Sequence, residues 1–265
     1  MRNLLLRKFN TLVRLLREKG LAGTIRYLGW ETDNLYVGFI ALLQRNRIKI
    51  DDCVIDVNNP LIPLARKSQF VQGRFEQPER DAVKGFIDPT QPVVELGGSV
   101  GVVACSTNRL LDDPTRHVVV EAHPQFAKTL NINRGLNGCQ FTVVQKAIAY
   151  SGPTVQFGAN DFASSYLVGS SVIEVDTTTL AAVASAFGDK PFQLICDIEG
   201  AEIDVVAEEG DLLASRVSLM IVEMHPWLVG ESAVKNTLDQ LARMGFEIIH
   251  QTAQVYVLQN MRLTH

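Results

Sequence analysis

The chain has no Cys-x-x-Cys pair, no excess of positive charge, and no apolar run reaching the roughly 18 residues that cross a bilayer. Each absence excludes something. The four cysteines, Cys53, Cys105, Cys139 and Cys196, stand apart from one another, so neither a zinc ribbon nor a dithiol redox centre is encoded. Three of them fall in apolar runs, where a buried free thiol is expected. That usage fits a reducing, cytoplasmic setting. A net charge of -4 over 265 residues leaves no global electrostatic footprint for nucleic acid. Arg7 and Lys8 interrupt the first apolar run and no small-residue cleavage site follows, so no signal peptide is expected.

What remains is an ordinary globular composition, 46% hydrophobic and 20% charged, long enough for one α/β domain with an appendage. The appendage is the N-terminus. Arg2, Arg7, Lys8, Arg14, Arg17 and Lys19 meet few acids there, and Leu5, Phe9, Leu12, Val13 and Leu16 recur at helical spacing. The spacing predicts an amphipathic helix over 3–19, and a second helix is expected over 32–46. A basic amphipathic helix either lies on an anionic membrane surface, making residues 1–50 a peripheral anchor, or packs on its own domain or on a partner subunit. The expected division is a helical extension over 1–60 and an α/β domain over 61–265. A homo-oligomer is left open.

Residues 50–75 read as irregular, punctuated by Pro60 and Pro63. A short helix is expected at 77–86. Strand and helix patterns then alternate. Strands are expected at 92–96, 117–120, 141–144, 192–196 and 217–222, with helices at 124–134, 179–187, 201–209 and 232–244. Residues 154–157 and 172–176 read as a hairpin or as short additional strands. The tail reads as strands 246–250 and 255–258 joined too tightly for a crossover helix, hence antiparallel. Alternation of this kind implies a mostly parallel sheet covered on both faces.

The segment Glu95-Leu96-Gly97-Gly98-Ser99-Val100-Gly101 runs from a strand through a glycine turn into a helix. Ligands bind at the carboxyl ends of such strands. Glycines there admit close approach to the backbone, and helix N-terminal N–H groups receive a carboxylate. Twenty residues after Gly101, Glu121 ends the next strand, where a carboxylate accepts hydrogen bonds from both ribose hydroxyls of a nucleoside. NAD and S-adenosylmethionine share this arrangement. The NAD fingerprint needs Gly-x-Gly-x-x-Gly, whereas Ser99 and Val102 stand where the second and third glycines belong. Glu95, two residues before the first glycine, fits the methyltransferase pattern better.

With these residues the chain resembles the FkbM family of methyltransferases. The family's Asp-x-Gly-Ala-Asn-x-Gly motif corresponds to Glu95 through Gly101, with Glu for Asp, Gly98 for Ala and Ser99 for Asn. Its acid-then-proline motif corresponds to Glu121-Ala122-His123-Pro124. Gly73-Arg74-Phe75-Glu76 resembles its aromatic-Glu segment, and Val175 through Leu180 its Val-x-x-x-Thr-Leu run. The most specific match is Cys196-Asp197-Ile198-Glu199-Gly200-Ala201-Glu202, followed by Glu223-Met224-His225. The resemblance spans about residues 70–258. It implies a class I methyltransferase Rossmann-like fold, a mostly parallel seven-stranded sheet with an antiparallel terminal strand. It implies S-adenosylmethionine as cofactor and a small hydroxylated acceptor, such as a saccharide or lipid-linked glycan. The cofactor residues it implies are Glu76, Glu95, Gly97, Gly98, Ser99, Gly101, Glu121, Ala122, Ala147 and Asp197.

Methyl transfer is an in-line displacement at a sulfonium carbon. The protein supplies alignment and, for a hydroxyl acceptor, a destination for its proton. Asp197 ends one strand, Glu199 lies in the following turn, and His225 lies just past the neighbouring strand, so the three are expected to converge. His225 or Glu199 is the expected base and Asp197 the orienting group. The same three side chains offer oxygen and nitrogen ligands to a divalent ion such as Mg²⁺, though without a tight spacing signature, and no metal ligand is assigned. Glu202 reads as a helix first-turn carboxylate, Glu223 is left open, and Lys146 reads as solvated. Asn160 to Ser171 reads as a lid, an acceptor loop or an ordinary exposed loop. The competing readings are a non-catalytic cofactor-fold binding protein and an NAD-dependent oxidoreductase. The intact acids and the glycine spacing, respectively, argue against them.

Overall fold

A computed structural model describes residues 39–158 and 172–263. The helix expected over 3–19, the first part of that over 32–46, and the whole of the 160–171 loop lie outside the described residues. Residues 39–43 are helical.

The chain then forms a hairpin, β1 (Arg47–Ile50) and β2 (Cys53–Asp56), paired antiparallel. This corrects the irregular reading of 50–75, as does α1 (Leu64–Val71). In the hairpin, buried and exposed residues alternate along both strands, which places Ile48, Ile50, Cys53 and Ile55 on one apolar face. Asp51 takes the left-handed turn conformation at φ 52. Pro63 does not end structure but starts it. It stands before the first turn of α1, where a missing N–H costs nothing, and its carbonyl accepts from Arg66 and Lys67. The hairpin is tied to the rest of the molecule by two asparagines. Asn133 Oδ1 accepts from the Asp56 N–H at 2.7 Å, and the Asn137 amide brackets Val54 N and O at 2.8 and 2.9 Å. Residues 48–57 therefore share one core with residues 100–141.

After α2 (Gln77–Phe86) the main sheet begins. Its strands are β3 (Val93–Leu96), β4 (His117–Val120), β5 (Thr142–Val144), β9 (Phe192–Cys196), β10 (Val217–Glu223), β11 (Phe246–Thr252) and β12 (Val255–Asn260). Their spatial order is β11-β12-β10-β9-β3-β4-β5. All pair parallel except β12, which is antiparallel to both its neighbours. A second, three-stranded sheet joins β6 (Ala147–Ile148), β7 (Thr154–Gly158) and β8 (Val172–Thr178), with β7 and β8 antiparallel as in the hairpin reading.

The strands are apolar on both faces because both are covered. Val94, Leu96, Leu194, Cys196, Met220 and Val222 face a core shared with α5 (Leu180–Ala184), α6 (Glu202–Glu208), α7 (Gly210–Arg216) and α8 (Glu231–Met244). Val93, Ile195, Leu219 and Ile221 face the opposite layer, with α2 and α3 (Val102–Asn108). The helix α4 (Pro124–Leu136) covers the β4 end of that second layer. The chain runs outward from β3 to β5 and then returns to β9 on the other side of β3. That reversal opens a crevice above the carboxyl ends of β3 and β9. Among the described residues no helix is long and apolar enough to cross a membrane.

Candidate active site

A cavity of about 1110 Å³ opens above these strand ends. At one end lies the glycine turn. Gly97 and Gly98 both donate N–H bonds to Val120 O at 2.9 Å, which clamps the turn against β4. Gly97 has φ +91, and a Cβ there would sit 1.7 Å from the Asp197 carbonyl oxygen, so only glycine fits. Ser99 is also left-handed, at φ 47, and this turns its N–H onto Glu121 Oε2 at 2.7 Å. The other Glu121 oxygen accepts from the His123 N–H at 2.7 Å. Burial raises the Glu121 carboxyl to about 7, against the pull of those two N–H groups. Ala122, Lys146, Ala147 and Ile148 continue the wall beyond it.

Glu76 precedes α2 in a left-handed conformation, φ 48, and lines the same cavity. Burial, reinforced by Glu79 and Glu95, holds its carboxyl well above the usual range.

The far wall comes from the ends of β9 and β10. Asp197, Glu199, Glu223 and His225 all line it. The His225 ring is 2% exposed. Its Nε2 lies 3.5 Å from Asp197 Oδ1, 3.5 Å from Glu199 Oε2 and 3.6 Å from Glu223 Oε2. On its other side Nδ1 lies 3.2 Å from Glu202 Oε1. Glu202 is held in turn by the N–H groups of Ile198 at 2.7 Å and Gly200 at 2.8 Å. The sequence thus hides a second use of this first-turn acid, to orient the histidine. Burial lowers the His225 pKa, but the carboxylates of Glu202, Glu199 and Glu223 outweigh it and the net shift is upward. Burial and the surrounding acids raise Asp197 well above the usual range, burial raises Glu199, and burial together with Glu79 pushes Glu223 up to about 7.

Three expected cofactor residues are not brought to the cavity. Glu95 is buried on β3 with its carboxylate 3.3 Å from His117 Nε2, because it shares the face of Val93 rather than pointing past the strand end. Gly98 and Gly101 serve packing. A Cβ on Gly98 would meet Val119 at 2.4 Å, and one on Gly101 would meet Leu130 at 2.6 Å. The others, Glu76, Gly97, Ser99, Glu121, Ala122, Ala147 and Asp197, line the cavity together with Glu199 and His225.

Among the lining residues that the sequence did not single out are Glu79 and Trp227. Glu79 is 6% exposed, one turn after Glu76 on the helix side that also buries Ala82 and Val83. An acid at i, with apolar residues at i+3 and i+4, was the available signal. Trp227 is 62% exposed at the cavity wall, its ring edge-on to His225 at 5.1 Å.

A seven-stranded sheet of this order, with one antiparallel strand, is the fold of class I S-adenosylmethionine-dependent methyltransferases. Residues 95–248 match the Methyltransferase FkbM domain, and the chain belongs to that family. No curated protein matches the chain. Among solved structures it is similar to ribosomal protein L11 methylase from Lactobacillus delbrueckii subsp. bulgaricus, with 11% identity, TM-score 0.42, and coverage of 70% of this chain and 77% of that one. It is also similar to Aeropyrum pernix fibrillarin in complex with S-adenosyl-L-methionine, with 12% identity, TM-score 0.42, and coverage of 69% and 74%. A third is precorrin-6y C5,15-methyltransferase from Geobacter metallireducens, with 11% identity, TM-score 0.43, and coverage of 69% and 86%.

Proposed function

We propose that the protein transfers the methyl group of S-adenosylmethionine to a hydroxyl of a small neutral molecule, a saccharide or lipid-linked glycan being the favoured class. The observation that carries this reading is one continuous cavity with two unlike ends, a backbone-lined nucleoside end and a carboxylate-lined end. The residues present fit the cofactor. Glu121 is already fixed as an acceptor for the ribose hydroxyls, the absent Cβ of Gly97 lets a ligand approach the turn, and Ala147 and Ile148 line an apolar slot for the adenine. When bound, S-adenosylmethionine supplies an electrophilic methyl on a sulfonium.

The acidic wall selects the acceptor. Glu79, Asp197, Glu199 and Glu223 repel phosphate esters and nucleic acid strands, whereas their oxygens accept hydrogen bonds from hydroxyls. Trp227 offers an apolar ring face at the same end. Of the two expected bases, the surroundings favour Glu199. His225 is held through Nδ1 by Glu202 and turns Nε2 to the three other carboxylates, so it positions rather than deprotonates. Glu199 is a third exposed at the cavity wall and takes the hydroxyl proton as the oxygen–methyl bond forms.

The test has two stages. Calorimetric titration of S-adenosylmethionine and S-adenosylhomocysteine into the full chain is expected to give micromolar binding. Release of S-adenosylhomocysteine is then measured over a panel of neutral saccharides, sugar phosphates, amines and RNA. Turnover of neutral hydroxylated compounds alone is expected. Turnover of RNA or of amines in their place would overturn the acceptor assignment.

A further inference from the structure

We infer that Asp197, Glu223 and His225 form a binding site for a first-row divalent metal ion, with the acceptor hydroxyl as its further ligand. The role given to the hydroxyl rests on the methyl-transfer reading; the site itself rests on geometry. The three side chains offer ligand atoms that all lie within 4.8 Å of one another. The imidazole Nε2 stands 3.5 Å from Asp197 Oδ1 and 3.6 Å from Glu223 Oε2. Neighbouring ligands of a tetrahedral centre with bonds near 2.1 Å stand about 3.4 Å apart. Three protein ligands and one open position is the arrangement of a catalytic rather than a structural metal site.

Two further observations separate this wall from a mere collection of acids. The first is the support behind the histidine. His225 is 2% exposed, and its Nδ1 faces Glu202, which is itself locked by two backbone N–H groups. A carboxylate behind the remote ring nitrogen fixes tautomer and orientation in metal-bound imidazoles. The second is the lack of protein partners. Asp197 Oδ1 and Glu79 Oε2 are buried without a hydrogen-bond partner, and Glu79 is 6% exposed beside the same wall. Among the described residues, the ion pairs of Asp197, Glu199 and Glu223 all run to the one imidazole. Buried carboxylate oxygens are costly without a cation or donor. Arg66 bears on Glu199 and Arg80 on Glu79, but among the described residues no lysine or arginine forms an ion pair with Asp197 or Glu223. An imidazole among the donors favours a first-row transition ion over calcium or magnesium, which take oxygen.

A cation there lowers the pKa of a coordinated hydroxyl. The hydroxyl proton passes to Glu199, the oxygen–methyl bond forms as the sulfur–methyl bond breaks, and the products are the methyl ether, neutral S-adenosylhomocysteine and one proton released to solvent.

The experiment is a titration of Mn²⁺ into the metal-free full chain, followed by electron paramagnetic resonance of the free ion. One Mn²⁺ per chain is expected to bind, Zn²⁺ to displace it, and Glu223→Gln and Asp197→Asn each to weaken it by roughly tenfold or more. Glu121→Gln is expected to bind Mn²⁺ as the native chain does. Zn²⁺ is also expected to raise the melting temperature of the native chain, a readout that needs no variant to fold. A free-ion signal unchanged up to millimolar Mn²⁺, or equal binding by all variants, overturns the site. S-adenosylmethionine binding, titrated separately without metal, distinguishes this failure from failure of the methyl-transfer reading.

Discussion

Both ends of the cavity are lined with buried or half-buried carboxylates, and the fold treats them oppositely. At the glycine-turn end Glu121 receives one backbone N–H on each oxygen. At the β9–β10 end Asp197 Oδ1 and Glu79 Oε2 receive nothing, and three acids crowd one imidazole. A carboxylate fixed by the backbone is a finished acceptor, oriented before any ligand arrives. A buried carboxylate left without donors is a cost carried by the empty protein and relieved by whatever binds there. The first end has its acceptor geometry fixed in advance; the second leaves acceptor oxygens unfilled, and the proposed ligands are those that would fill them.

The largest expected effect tests how tightly the first end is built. Gly97→Ala would place a Cβ 1.7 Å from the Asp197 carbonyl oxygen at a positive φ. The ends of β3 and β9 would have to part, with a loss of about 4 kcal/mol or more in urea unfolding. A neutral result would mean the two strand ends are not held together as described. The next test separates the two ends by ligand. Glu121→Ala should weaken S-adenosylmethionine binding at least tenfold, about 1.4 kcal/mol or more, by removing a charged acceptor. His225→Ala, at the other end, should change that affinity by less than about twofold. Equal losses would show that the ends do not divide their work.

The two ends were unequally legible in the sequence. The glycine turn and Glu121 could be placed because strand, turn and acid follow one another within one βαβ unit, where spacing carries the geometry. The same local logic located β3, β4, β9 and β10 to within a residue or so. Glu95 misled because a motif position says nothing about which strand face a side chain takes; here period-two alternation put it beside His117. The acidic end depends on parts far apart in sequence. Glu79 arrives from α2, where its apolar neighbours signal burial but not the cavity, and Trp227 from the short helix after β10. The hairpin β1–β2 was missed for a related reason. Its strands are four residues each, and its hydrogen-bonding partners, Asn133 and Asn137, lie about 80 residues downstream.

Acidity gives a third, smaller effect. The folded Glu121 carboxyl titrates at about 7 and its usual value is 4.5. A raised folded pKa means the native state binds the proton more tightly. Its contribution to stability is therefore complete below about pH 4.5 and is lost as pH rises through 7. The metal-free, cofactor-free protein should lose up to about 3 kcal/mol from this group between pH 4.5 and 8, seen as a falling urea midpoint. Glu121→Gln should flatten that slope. Affinity for S-adenosylmethionine should move the other way, tightening from pH 6 to 8 as the ribose acceptor ionises. An affinity flat over that range would mean Glu121 does not meet the ribose.

The smallest effect is the sharpest test of the contrast, because it compares two acids on the same wall. Glu202 resembles Glu121, since each of its oxygens accepts one backbone N–H, from Ile198 and from Gly200. Glu223 has no such support and stands near Asp197, Glu79 and Glu199. An amide keeps the shape of either side chain but has one acceptor oxygen and no charge. In Glu202→Gln one backbone N–H must face an NH₂ group, at a cost of about 1 to 2 kcal/mol. In Glu223→Gln a repelling charge disappears and no backbone donor is orphaned, so the metal-free protein should gain about 1 kcal/mol at pH 8. Opposite signs in urea unfolding would locate the difference in hydrogen-bond supply rather than in charge or burial. Losses of the same sign and size would mean that both acids are structural, and the acidic wall would then no longer need a ligand to explain it.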